Sequence, residues 1–399
     1  MDYLITNISN LIKNSPIDIK ALNEFLKKKE NGGNYFITIK EDGQIVNEQK
    51  NPSFLDIIIE KLNSAINFIL KLLRIIKEEE EQFCSLMNIS NNCYLNAGLQ
   101  ILSRCDPLFW TLFNIKYEEN ELLKLFVNSM AMILFSKNKQ YNPIKFIKCF
   151  CKNNKEFVFG KQNCSQNFIR TILRNINGIT KRIKHYEGYY PGNPNELSAY
   201  KTYIKENNIF PESEVYSLFS GMLKMTLEGE CTMCGQKILN YTFNSFVDHT
   251  IYLDSISTRC SFSDVLRKNI GEEKKSTMKC QKCKGKISLR IVSKFVKIPD
   301  IFIFTLERYL VRNKVPVEPD DVIDIHDYVD KYLLDANEEH YKYELFAINI
   351  RIGRDRSFGH EICQIKEKDK WYTIDDNVSY PRQREFNDFS YGLFYRKIK

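Results

Sequence analysis

The sequence predicts a folded protein with helices, strands and a metal-binding module of extended strands, and three observations lead there. Apolar residues follow helical spacing after Cys93, with Leu95, Leu99 and Leu102 on one face. Strand-like runs fill the C-terminal part, among them Ile362-Cys363-Gln364-Ile365 and Trp371-Tyr372-Thr373-Ile374-Asp375-Asp376. Between these regions lie two C-x-x-C knuckles, Cys231-Thr232-Met233-Cys234 and Cys280-Gln281-Lys282-Cys283, separated by 45 residues.

Composition narrows the classes. The chain has 399 residues, enough for one large core or two moderate ones, with 43% apolar and 27% charged residues. That balance excludes disordered and fibrous chains. The net charge is +8, but basic and acidic residues are interspersed and the longest basic run is Lys27-Lys28-Lys29. A nucleic-acid binder concentrates its charge on a face or tail, so no nucleic-acid partner is expected. Twelve cysteines in a chain of this length do not make a disulfide scaffold, and no secretory h-region opens the sequence. A reducing compartment, cytoplasm or nucleus, is expected.

The stretch Ser53–Ile76 is interrupted by Asp56, Glu60, Lys61, Lys71 and Arg74 and is too charged to cross a membrane, so no transmembrane segment is expected. Leu55, Ile59, Leu62, Ile66, Ile69, Leu73 and Ile76 draw one apolar stripe along a helix over 55–76. That helix packs on its own domain or serves a partner protein or a membrane surface. Upstream, a Gly-Gly-Asn turn at 32–34 and a hairpin near Asp42-Gly43 are expected. The acidic run Glu78–Glu81 sets a boundary between an N-terminal region, 1–80, and a second domain, 81–399.

Polar, turn-prone residues precede Cys93, so this cysteine opens its helix. Unpaired N–H groups and the helix dipole favour a thiolate there, the form that attacks carbonyl carbon. A cysteine in this position is either a small buried hydrophobe or a nucleophile, and a base is needed to choose. Of five histidines, His360 stands out: it follows a Gly353–Gly359 turn and opens a strand. The next strand ends in Asp375 and Asp376, and antiparallel pairing would bring a carboxylate beside the ring. His360 is read either as this base or as a structural histidine.

The knuckles carry an independent signal. Each C-x-x-C turns two thiolates onto one point, and Cys231, Cys234, Cys280 and Cys283 together complete a four-thiolate zinc site with no open position for chemistry. The zinc is expected to be structural, one per chain. The long gap between knuckles implies extended strands.

The segment Leu86-Met87-Asn88-Ile89-Ser90-Asn91-Asn92-Cys93-Tyr94-Leu95-Asn96 resembles the cysteine box of the ubiquitin-specific proteases, G-L-x-N-L-G-N-T-C-Y-M-N. Tyr343 to Ile348, Gly353, Gly359-His360 and Trp371 to Asp376 resemble the family's histidine box, in the family's order. Tyr391 to Arg396 is similar to its closing strand, and Ile298 to Tyr309 to the strand ending in L-x-R-F. The resemblance covers most of residues 83–399 and nothing in 1–80.

It implies a papain-like α+β cysteine protease fold with a helical thumb holding Cys93, a β palm holding His360 and Asp375, and zinc-ribbon β fingers over roughly 205–290. It implies a thiol-dependent deubiquitinase that cleaves isopeptide or peptide bonds after the C-terminal glycine of ubiquitin or a ubiquitin-like modifier. Cys93 would be the nucleophile, His360 the general base, Asp375 the orienting acid and Asp376 a second carboxylate. Asn88, five residues before the cysteine, would stabilise the oxyanion.

Departures from the pattern qualify the resemblance. Ser85 and Ser90 replace glycines and Asn92 a threonine in the cysteine box. Glu361 stands where tyrosine follows Gly-His, and Arg351 where the family has an upstream histidine. In Gln162-Asn163-Cys164-Ser165-Gln166-Asn167-Phe168, similar to Q-Q-D-A-Q-E-F, Cys164 and Asn167 replace both carboxylates. In the family these acids lie near arginines of the ubiquitin tail, so tail recognition is expected to weaken or change. Two other functions fit parts of the pattern: a non-catalytic ubiquitin-binding scaffold of the same fold, and a zinc-ribbon nucleic-acid-binding protein. The first gains from the lost acids, the second from the knuckles and net charge.

Overall fold

Most strand-like runs beyond residue 300 assemble with His249–Tyr252 into one large sheet, and helices from before residue 180 pack on one of its faces. The structure, a computed structural model, describes residues 2–14, 17–29, 36–40, 45–48, 83–115, 119–136, 140–179, 182–184, 192–207, 212–254, 256–308, 315–331, 340–353, 359–381 and 389–398. The 55–76 helix, the acidic run at 78–81 and the Gly-Gly-Asn turn lie outside these residues. Among the described residues no helix is long and apolar enough to cross a membrane.

At the N-terminus, α1 (Asp2–Asn14) and α2 (Ile19–Lys29) precede a hairpin of β1 (Phe36–Ile39) and β2 (Ile45–Glu48), paired antiparallel around the expected Asp42-Gly43 loop. Ile8, Leu11, Leu22, Leu26 and Ile39 are buried in the same core as the helices that follow. Asn7 Nδ2 donates to the Phe113 and Ile115 carbonyls at 2.7 and 3.1 Å, tying α1 to that layer.

The helical layer comprises α3 (Cys93–Ser103), α4 (Asp106–Phe113), α5 (Glu121–Phe135), α6 (Ile144–Asn153) and α7 (Ser165–Ile179). Every residue of α3 is buried, which makes it the central helix. It reaches α7 closely because Gly98 has no side chain: a Cβ there would lie 2.5 Å from the Phe168 ring. The aromatic cluster of Phe146, Phe150 and Phe168 fills the space beneath.

After α8 (Pro194–Asn207) come β3 (Gly221–Cys231), β4 (Lys237–Phe246), β5 (His249–Tyr252), β6 (Lys274–Lys279), β7 (Lys286–Lys297) and β8 (Ile301–Glu307). The chain closes with β9 (Lys342–Ile352), β10 (His360–Glu367), β11 (Lys370–Asp375), β12 (Val378–Pro381) and β13 (Ser390–Lys397). The main sheet runs β12-β11-β10-β9-β13-β8-β5, antiparallel except for β8 with β5, and Val322–Asp324 adds an eighth strand beside β9. Both of its faces are covered, which explains the unbroken apolar run in β8. Ile301 and Ile303 face the helices, while Phe302 and Phe304 enter a second core with Phe262 and Val265.

The remaining strands form a separate antiparallel sheet, β6-β7-β3-β4, that carries the four knuckle cysteines at one end. Its edge strand β6 is exposed throughout, and Lys274, Lys275 and Lys279 on it disfavour pairing with another chain. At its base Lys224 is buried between Asp330 (2.7 Å) and Glu196 (3.5 Å).

The α3–α7 crossing generates a prediction. Gly98→Ala should overpack it and destabilise the protein by about 1–3 kcal/mol, read as a lower urea midpoint at unchanged slope. An unaltered midpoint would show that this approach does not constrain the helices.

Candidate active site

Cys93 is the first residue of α3 and only 4% exposed. The turn before it is built from asparagines. Asn91 adopts φ 50, a left-handed conformation that asparagine tolerates, and its side chain reaches the Gly160 carbonyl at 2.9 Å. Asn92 Oδ1 accepts from the N–H groups of Ile89 (2.7 Å) and Ser90 (3.1 Å), closing the turn on itself. Asn92 therefore does not cap the first turn with its side chain, which leaves donors there for negative charge.

His360 opens β10, and β11 runs antiparallel beside it. This pairing brings Asp375 Oδ1 to 2.6 Å from His360 Nε2. Cys93 is the other group that acts on the ring, and with Nε2 taken by Asp375, Nδ1 is the nitrogen left for it. The imidazole thus sits between a sulfur and a carboxylate. Its pKa is pushed up to about 9: the hydrogen bond to Cys93 raises it most, burial works against the charged form, and Asp375 raises it further.

Asp376 occupies the two-residue loop between β11 and β12 with φ 47. It lies at the site but does not touch the ring in the manner of Asp375. Its Oδ2 accepts from Asn88 Nδ2 at 2.7 Å and its Oδ1 from Asn96 Nδ2 at 2.8 Å. Asn88 is exposed, and its own Oδ1 accepts from the Asn92 N–H at 3.2 Å. One N–H of the Asn88 amide is committed to Asp376; the amide has a second. Asn96 has no counterpart among the expected site residues. Its position three after Cys93, one turn along the same helix face, was the available signal.

The knuckles converge as spaced. Cys231 and Cys283 sulfurs lie 3.4 Å apart, Cys234 and Cys280 sulfurs 3.7 Å, and all four fall within 4.8 Å of one another. The two turns are built alike: the N–H of Gly235 bonds the Cys231 carbonyl and that of Lys284 the Cys280 carbonyl, with φ 66 and 63. The N–H groups of Cys234 and then Met233 draw the Cys231 thiol down to about 6. Cys283 moves the other way, to about 12: the Gly285 N–H favours its thiolate, but crowding by the other three sulfurs outweighs it. Four sulfurs at this spacing match a tetrahedral thiolate shell around a metal with bonds of about 2.3 Å, and the group could hold such an ion.

Residues 84–395 match the sequence model of the ubiquitin carboxyl-terminal hydrolase family. The chain belongs to that family. It is 22% identical over 330 residues to ubiquitin carboxyl-terminal hydrolase 23 of Arabidopsis thaliana, covering 78% of this chain and 35% of the relative. It is 24% identical over 345 residues to ubiquitin carboxyl-terminal hydrolase Usp2 of Drosophila melanogaster, covering 80% and 35%. With ubiquitin carboxyl-terminal hydrolase 4 of Arabidopsis thaliana it shares 23% over 328 residues, 75% of this chain and 85% of the relative. The chain thus spans about a third of the length of the first two relatives. The family's papain-like α+β fold is the one described above, helices on one face of the palm sheet and a four-stranded finger sheet carrying the cysteine cluster.

Against the family pattern, two of the departures turn out to face each other. Arg351 and Glu361 are register partners across β9 and β10, and Arg351 Nη1 meets Glu361 Oε1 at 2.6 Å with both side chains buried. The other Glu361 oxygen accepts from the Ser165 N–H at 3.0 Å, from Asn349 Nδ2 at 3.0 Å and from the Ser165 hydroxyl. Sequence reading singled out each residue as a loss and missed the pair. Counting outward from the Gly353–Gly359 turn would have aligned them.

Cys164 and Asn167 lie at the start of α7. Asn167 is exposed and accepts from Arg170 at 2.6 Å. Burial, and next the Glu361 carboxylate, push the Cys164 thiol up to about 11. A carboxylate at 167 would find Arg170, whereas one at 164 would crowd Glu361, so the two losses are not equivalent.

The His360 shift makes stability depend on pH. Its folded pKa of about 9 exceeds the ordinary 6.5, so the stabilisation is complete below about 6.5 and is lost as pH rises through about 9. The ring is 40% exposed, and solvent screening holds the effect to about 1 kcal/mol or less. The urea midpoint of Asp375→Asn should fall below that of the unaltered protein near neutral pH and converge with it about one unit above the shifted pKa. A gap that is constant with pH would mean that the carboxylate does not hold the charged ring.

Proposed function

We propose that the protein is a thiol-dependent deubiquitinase that hydrolyses the isopeptide or peptide bond after the C-terminal glycine of ubiquitin or a ubiquitin-like modifier. The observation that carries this reading is His360, held between the Cys93 sulfur and Asp375. Cys93 Sγ, at the start of α3, attacks the scissile carbonyl carbon. As the tetrahedral centre collapses, the His360 imidazolium gives its proton to the leaving amine, and the modifier remains as a thioester on Cys93. The ring then takes a proton from water, whose oxygen displaces the sulfur and leaves a free carboxylate.

Asp375 keeps Nε2 occupied, so Nδ1 serves the sulfur and the leaving group. Asn88 directs its remaining N–H at the developing oxyanion, a contribution worth about 3 kcal/mol in proteases. Asp376 acts through Asn88 and Asn96, fixing the amide without adding a contact to the ring.

The cation of the finger sheet is inferred to be zinc, one per chain, held by Cys231, Cys234, Cys280 and Cys283. With four thiolates it has no open position and supplies structure only. Twelve cysteines in a chain of this length, four of them metal-ligand candidates, support a reducing compartment, cytoplasm or nucleus. Neutral Cys164 and Asn167 in place of two acids support a modifier whose tail is bound loosely or by other contacts than in charge-paired relatives.

Two experiments test this reading. Ubiquitin and related modifiers carrying a C-terminal electrophile should form an adduct that peptide mapping places on Cys93, and Cys93→Ser should abolish it. Labelling of Cys84 or Cys105 with Cys93 untouched would sink the assignment, and a protein that binds modifier without any adduct would be a scaffold. Elemental analysis of chelator-free protein should find one zinc per chain. Cys280→Ser should lose the metal, destabilise the fingers and weaken substrate binding more than it slows chemistry at Cys93. Metal content unchanged by that substitution would remove the site.

A further inference from the structure

The nucleophile and the base sit on different layers, and among the described residues a closed path of covalent and hydrogen bonds joins their immediate neighbours. Ser165 Oγ lies 2.9 Å from the carbonyl of Tyr94, the residue after Cys93. Its single proton is shared between that carbonyl and the carboxylate of Glu361, the residue after His360, and the Ser165 N–H bonds the same carboxylate at 3.0 Å. The path therefore runs from Cys93 through Tyr94, Ser165 and Glu361 to His360. Ser165 and Glu361 are 0% and 2% exposed, so the path is shielded from bulk solvent.

The carboxylate is held from the sheet side as well. Arg351 bonds it at 2.6 Å and reaches the Asn163 carbonyl at 3.3 Å, while Asn349 donates to it at 3.0 Å. A further bond joins the Gly359 N–H to Gln162 Oε1 at 3.1 Å. Residues 162–165, at the start of α7, are thereby stitched to residues 359–361, at the start of β10.

A buried ion pair is an expensive way to stabilise a seam, since apolar residues of similar volume often do as well or better. What a charged, many-partnered carboxylate offers is a single geometry: each of its oxygens has fixed donors, and small displacements break several bonds together. That property is useful where a sulfur and a ring nitrogen must meet at hydrogen-bond distance.

We propose that Glu361 is a positioning residue which, acting through Ser165 and held by Arg351, sets the separation of Cys93 from His360 before substrate arrives. The proposal rests on reading Cys93 and His360 as nucleophile and base. It makes the pairing of Arg351 with Glu361 a functional device of this chain, and it adds Ser165 to the residues on which the rate depends.

The test uses Ser165→Ala and Glu361→Gln in the full chain. Ser165→Ala cuts the path at one hydroxyl and leaves the ion pair in place. Its kcat on a ubiquitin C-terminal fluorogenic substrate should fall by about 10–100-fold with KM changed by no more than about twofold, the cost of a misplaced reacting group. Iodoacetamide labelling of Cys93 should slow in parallel, and the NMR titration of the His360 ring should move from about 9 toward 6.5. The melting midpoint should fall by only a few degrees, about what the loss of one buried hydroxyl accounts for. Glu361→Gln should show the same pattern more strongly; should it fail to fold, Ser165→Ala decides alone. A Ser165→Ala protein with unaltered kcat, labelling and ring titration would overturn the proposal and leave the carboxylate a structural staple. If the unaltered protein hydrolysed no modifier, the labelling and the ring titration would still decide the point, and the fault would lie with the proposed activity.

Discussion

A thiol and an imidazole separated by most of the domain's sequence must meet at hydrogen-bond distance, and the seam between the helical layer and the palm sheet is what allows it. The helix that starts at Cys93 is buried along its whole length, so its axis cannot shift without disturbing the core. Gly98 lets the Phe168 ring lie directly on that helix, which fixes the distance to the helix beginning at Ser165. That second helix is in turn bonded to Glu361 beside the base. The position of the ring relative to the sulfur is thus the sum of three stiff contacts.

The chemistry around the ring is divided between charges and amides. Negative charge develops on the sulfur and then on the substrate oxygen, so further unpaired carboxylates close by would oppose both. Asp375 is paired with the ring, while Asp376 is turned by its left-handed backbone onto the amides of Asn88 and Asn96. Asn88, Asn92 and Asn96 recur every fourth residue and bond one another's backbone or side chains, giving the loop its shape with neutral groups. Asparagine at 92, where the cysteine-box pattern has threonine, extends this arrangement.

The finger sheet follows a different logic. Much of its surface is exposed, and the apolar cluster near its tip contains little beyond Ile287, Leu289 and the cysteines themselves. A sheet with so small a core would gain much of its order from a cross-link, and its four clustered cysteines could supply one by holding a cation. The palm, covered on both faces, has no such need.

How much of this was legible depended on range. The cysteine at a helix start, the knuckle spacing and the strand order around His360 are local patterns, carried by helical period, turn residues and alternation, and they stood in the sequence alone. So did a carboxylate at the end of the next strand, because consecutive strands pair; the residues left Asp375 and Asp376 open, and the resemblance to the family chose Asp375. Arg351 and Glu361 looked like two independent losses, and only the register of the sheet shows that one compensates the other. Ser165 gave no sign, since its partners come from the Cys93 helix and the His360 strand. Asp376 could be placed near the site from sequence, but its direction is set by a backbone conformation no composition reveals. The sequence by itself determined which groups are present and on what kind of element; the tertiary structure decided which of them touch. The reason is physical: local propensity fixes the elements, whereas side-chain contacts arise from the packing of layers that the chain brings together over long distances.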